Sequence, residues 1–160
     1  MTVNIRPAAP SDCATILRFV RELAEYEREP DAVEATGEML HAALFSTPPA
    51  AEALIAERDG EPIGFALFFH NFSTWAGKRG LYLEDLYVTP AARGSGAGKA
   101  LLAHLAALAV DRDCARFEWS VLDWNTPAID FYRAMGAQAM DEWTVQRVSG
   151  DALLRLAGRG

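Results

Sequence analysis

The chain has 160 residues, 51% apolar and 23% charged, which fits one globular domain over residues 1–160 and excludes a disordered or fibrous polymer. A net charge of −7, with no Lys/Arg run longer than two residues, argues against nucleic acid as a partner. The same acidic field serves solubility and also favours approach of a cationic ligand.

Residues 3–6 read as a short strand ended by Pro7. Ser11 or Asp12 can cap a helix running to about Tyr26, with Ile16, Leu17, Val20, Leu23 and Ala24 at helical spacing. A turn follows at Pro30, then a helix over 36–44 with Thr36 as N-cap. Residues 53–57 and 62–69 alternate as strands, and Asp59-Gly60 between them is a hairpin signal. The polar segment 71–79 predicts a loop, and 80–88 a third strong strand. A turn-rich loop over 89–98 leads into a helix over 99–111. A strand over 116–122, a proline-started helix over 127–135 and a strand over 140–148 complete the pattern, with 153–156 short and ambiguous. Strands on both sides of a glycine loop, with helices between, give a mixed α/β sheet.

Cys13 and Cys114 sit in apolar periodic stretches and read as buried free thiols of a reducing compartment. Residues 1–7 carry no apolar leader, and the apolar run 100–110 is too short for a bilayer, so a cytoplasmic protein without a membrane partner is expected. His41, His70 and His104 show no ligand spacing, so no metal is expected. A G-x-S-x-G nucleophile elbow is absent.

The segment 88–99 follows a strand and opens a helix. Its glycines let backbone N–H groups converge, and the helix start adds free N–H groups and a dipole, which together cradle a pyrophosphate. The Walker pattern fails because residue 100 is Ala, and the dinucleotide fingerprint fails because residue 99 is Lys. Arg-x-x-Gly-x-Gly (Arg93, Gly96, Gly98) fits fully.

That motif after a strand ending Tyr87-Val88 resembles the acetyl-CoA pyrophosphate loop of the GNAT superfamily. Asn125, Pro127, Phe131-Tyr132 and Gly136 resemble its second signature, in the expected order. Residues 5–8, 22–24, 26–27, 63–66, 81–85 and 124–125 are similar to the diamine (spermidine/spermine) N-acetyltransferases and their thialysine-acetylating relatives. Segment 75–80 departs from the polyamine enzymes by an added residue at the acceptor side.

The resemblance implies an α/β (α+β) GNAT fold: a mixed, mostly antiparallel sheet flanked by helices and splayed at the strand that binds acetyl-CoA. It implies acetyl transfer from acetyl-CoA to the primary amine of a small cationic acceptor, in a homodimer. It places the donor on Leu86, Tyr87, Val88, Arg93, Gly94, Ser95, Gly96, Ala97, Gly98, Lys99, Asn125 and Phe131. The N–H groups of Leu86 and Val88 would pair with the pantetheine arm as an added strand does. Asn125 reads equally well as a helix N-cap.

An alkylammonium with pKa about 10.4 must lose a proton before it attacks, and Glu84 is the expected base, directly or through water. Glu84 and Asp85 are strand neighbours, so only one is expected to face the cleft. Tyr132 is implied as proton donor to the leaving thiolate. Glu27, Trp75, Asp141 and Trp143 are implied as acceptor contacts, since carboxylates and an indole suit an ammonium. Glu25, Glu27 and Glu29 fit equally the solvated face of the first helix. Acetylation of a protein lysine or N-terminus, and a non-catalytic acyl-CoA-binding module, are the competing readings.

Overall fold

Backbone pairing extends the alternating segments into longer strands than their apolar residues alone suggest. The computed structural model describes residues 2–160, which group into two compact units, one ending at Leu122 and one spanning Asp123–Gly160.

The first unit carries β1 (Val3–Pro7), α1 (Cys13–Tyr26), α2 (Gly37–Leu44), β2 (Glu52–Arg58), β3 (Glu61–Ser73), β4 (Lys78–Val88), α3 (Ala97–Asp111) and β5 (Phe117–Trp119). Its sheet runs β1-β2-β3-β4-β5, antiparallel as far as β4, with β5 parallel to β4. The β2–β3 hairpin turns where expected: Asp59 (φ 54°) and Gly60 (φ 78°) both adopt the left-handed conformation of a tight two-residue turn. Thr36 caps α2, its hydroxyl accepting from Met39 N–H at 3.2 Å.

Burial follows from the spacing. Ile16 and Phe19 of α1, with Leu44 of α2, pack on Ile55, Phe65 and Tyr87. The Phe19 ring lies 5.9 Å from Phe65 and 5.7 Å from Tyr87. Leu101, Leu102, Leu105 and Ala109 bury one side of α3. Arg112, at the C-cap of α3, grips Glu52 of β2 through two hydrogen bonds of 2.7 and 3.0 Å and lies 5.8 Å over the Phe68 ring.

Three expectations need correction. Segment 71–79 is no open loop, because β3 and β4 stay paired out to Ser73↔Lys78, so cross-strand bonding overrides local polarity. Only Thr74 to Gly77 turns, with Ser73 Oγ accepting from Ala76 N–H at 3.2 Å and Gly77 at φ 67°. β5 keeps three residues of the expected 116–122. Residues 140–148 form no strand: Met140, Trp143, Val145 and Val148 are exposed, and an extended segment without a ladder partner has nothing to hold it.

The second unit holds α4 (Thr126–Ala134) and α5 (Gly150–Leu156), the latter resolving the ambiguous stretch as a helix. Gly136 (φ 97°) ends α4, and Ala137 N–H turns back to Tyr132 O at 3.0 Å.

Candidate active site

The site is built on the half of β4 that loses its neighbour. β5 pairs only with Leu81 to Leu83, so from Glu84 to Val88 one edge of β4 has no strand beside it among the described residues. This is the splay expected of the sheet. Thr89 N–H donates to Ile63 O of β3 at 2.8 Å. Strand alternation then turns the N–H groups of Leu86 and Val88 the other way, onto the open edge. Gly64 permits the tight β3–β4 approach here, since a Cβ on it would stand 2.5 Å from Tyr87 O.

The glycine loop leaves this edge and opens α3 two residues earlier than expected. Gly94 (φ 83°) and Gly96 (φ 86°) are left-handed, and a Cβ on either would meet open space. Their role is therefore backbone conformation and an uncluttered surface. Ser95 Oγ accepts from Ala97 N–H at 3.3 Å, while the N–H groups of Gly98 and Lys99 fall in the first turn and lack an intrahelical carbonyl. With Arg93 and Lys99 beside them, these donors fit a pyrophosphate, and the open β4 edge fits an amide-bearing arm.

The acidic side departs from the sequence argument. The β3–β4 register steps from Leu67↔Asp85 to Phe68↔Leu83, leaving Glu84 unpaired at a bulge. The alternation that would send Glu84 and Asp85 to opposite faces is suspended there. Glu84 is exposed and Asp85 half-buried. Burial, reinforced by the negative charges of Glu84 and Glu27, pushes the Asp85 carboxyl up to about 6. Burial likewise raises Glu27, the residue just beyond α1. Asp85 thus lies within the field of Glu84 and Glu27, and it is the carboxylate that sequence reasoning passed over; no local signal marks a bulge.

α1 is held against β4 by Tyr87, whose hydroxyl donates to Glu22 at 2.8 Å. Burial, and then that bond, push the Tyr87 hydroxyl up to about 12. Trp75 stands at the β3–β4 hairpin tip, 93% exposed.

In the second unit, Asn125 is buried and caps α4, its Oδ1 accepting from Ala128 N–H at 3.4 Å. Phe131 and Tyr132 sit together on α4 with ring centroids 5.6 Å apart. Asp141 and Trp143 lie exposed in the irregular segment between α4 and α5.

A model of the acetyltransferase (GNAT) family matches residues 16–137. The chain belongs to the GNAT acetyltransferase family. This N-acetyltransferase is 42% identical to the thialysine N-epsilon-acetyltransferase of Bos taurus over 98% of each chain. It is 31% identical to an L-ornithine N5-acetyltransferase of Arabidopsis thaliana, over 96% of this chain and 87% of that one. An integron cassette protein from the mobile metagenome of V. cholerae superposes with a TM-score of 0.82 at 29% identity, over 98% of each chain. GNAT acetyltransferases take the acetyl group from acetyl-CoA. Among the described residues no cluster of three or more His, Cys, Asp or Glu could hold a metal ion, and no helix is long and apolar enough to cross a membrane.

Proposed function

We propose that this acetyltransferase moves the acetyl group of acetyl-CoA to the primary amine of a small cationic acceptor, a diamine, polyamine or lysine-like amine, by direct attack in a ternary complex. The observation that carries the reading is Asp85, on the stretch of β4 whose edge is open, raised by burial and by the charges of Glu84 and Glu27. A carboxylate whose neighbours are also acidic recruits an ammonium, and an amine held at Asp85 lies on the strand that would bind the thioester arm. The names of the thialysine and ornithine relatives support the same acceptor class.

In this reading Asp85 and Glu27 hold the ammonium by charge. Glu84, solvent-exposed at the bulge, takes its proton directly or through a water. Attack of the neutral nitrogen on the thioester carbon forms the amide and breaks the C–S bond. The Leu86 and Val88 N–H groups align the arm; Tyr132 gives its proton to the thiolate and is replenished by the proton the nitrogen sheds as the amide forms, a role that rests on resemblance to the family. Asp141, Trp143 and Trp75 remain proposed acceptor contacts on the same ground, as does a homodimer. A cytoplasmic location is proposed from the two free cysteines, Cys13 buried and Cys114 half-buried.

Mass spectrometry after incubation with acetyl-CoA and a panel containing thialysine, ornithine, lysine and spermidine tests the reading. Monoacetylation of one or more is expected. No acetylated amine from any of them would refute it.

A further inference from the structure

The donor loop contains two left-handed glycines with open space around them, so its backbone alone does not fix the loop's one arginine. Two contacts fix it. Arg93 Nε donates to Val88 O at 3.3 Å, at the end of β4. The guanidinium carbon lies 5.3 Å from the centroid of the Tyr26 ring. Tyr26 is the last residue of α1. That helix end is itself anchored: Glu27 N–H returns to Leu23 O at 2.8 Å, and Glu22 one turn earlier receives the Tyr87 hydroxyl.

A guanidinium has one plane and five N–H donors. Here the ring covers a face and Val88 O takes the Nε–H. Among the described residues neither Nη of Arg93 has an acceptor, so the two Nη groups form the presented edge. A guanidinium edge with two parallel donors is the geometry that binds a phosphate oxygen pair.

We infer that Tyr26 is a positioning residue that holds the Nη edge of Arg93 toward the pyrophosphate of the donor. The inference rests on the proposed use of acetyl-CoA at this loop. It adds a residue outside the glycine motif, supplied by the helix whose next residue, Glu27, contributes to the field at Asp85. One helix end therefore touches both substrates' sites.

Calorimetric titration with coenzyme A, and separately with acetyl-pantetheine, which lacks the pyrophosphate, tests this in wild type and four variants. Tyr26→Leu keeps apolar bulk without a π-face, and Tyr26→Phe keeps the ring. Arg93→Ala and the Tyr26→Leu/Arg93→Ala double variant complete a cycle. Tyr26→Leu should weaken coenzyme A about 2- to 5-fold, the size of an exposed cation–π contact. It should leave acetyl-pantetheine unchanged. Tyr26→Phe should bind as wild type, and in the Arg93→Ala background the Tyr26 change should add nothing. Wild-type coenzyme A affinity in Tyr26→Leu, equal losses for both ligands, or additive losses with Arg93→Ala would each overturn the inference while leaving the donor assignment intact. A wild-type protein that binds no coenzyme A would overturn the donor assignment, and this inference with it.

Discussion

In the proposed function Asp85 joins stability to recognition of the amine. Its carboxyl is pushed up to about 6, chiefly by burial, while an unfolded chain would hold it near 3.9. The native state keeps a proton between those values that the unfolded state has lost. The stabilising contribution is therefore full below about pH 4 and disappears as pH rises through about 6. At neutral pH the ionised carboxylate costs on the order of 2–3 kcal/mol, so Asp85→Asn should melt several degrees above wild type at pH 7.5 and level with it at pH 4. Recognition runs the other way, because only the ionised form attracts an ammonium. The slope of log kcat/KM for the amine should steepen below about pH 6 in wild type, and Asp85→Asn should lose that steepening along with most of its amine affinity. Glu84→Gln should instead lower turnover at pH 7 by about 10²–10⁴-fold with acetyl-CoA affinity retained. A pH–rate series on the two variants separates a binding carboxylate from a proton acceptor.

Two predictions belong to elements. Gly96, the N-cap of α3, sits at φ 86°, a conformation a β-branched residue resists. Gly96→Val should cost about 1–2 kcal/mol of strain and place a side chain in the space the donor needs. Acetyl-CoA should raise the melting temperature of wild type and leave that of the variant unmoved in a thermal-shift assay. The C-terminal end of α3 is fastened to β2 by the Arg112–Glu52 pair, whose side chains are 28% and 36% exposed. Arg112→Ala should therefore remove only about 1 kcal/mol, a loss of about 2–4 °C, without altering coenzyme A binding. The Arg112 guanidinium holds the Glu52 carboxyl below its ordinary range. The contribution is present at neutral pH and is lost on acidification, so the wild-type and Arg112→Ala melting curves should converge toward pH 3.

At the scale of the whole molecule, the 140–148 tail exposes Met140, Trp143, Val145 and Val148 instead of pairing them. If the proposed homodimer uses it, Trp143→Ala should shift sedimentation from dimer toward monomer and raise the amine KM together. A wild-type monomer with full activity would separate the tail from the site. The net charge of −7 should make amine capture weaken with ionic strength, measured as kcat/KM against added salt.

The sequence by itself determined the family, the glycine-rich loop before α3 and most element positions. These are local: Asp59-Gly60 dictates its turn by left-handed backbone, Thr36 its helix start by a hydroxyl, and the Arg93–Gly98 spacing its glycine conformations. Tertiary structure decided whatever depends on a partner strand. Ser73↔Lys78 pairing turned an expected loop into a long hairpin, and the missing partner of residues 140–148 removed an expected strand. The bulge at Glu84 interrupts the β3–β4 register where the two-residue period predicts continuous pairing. Register, and the burial that raises Asp85, arise from pairing between segments far apart in the chain, and no local pattern encodes either.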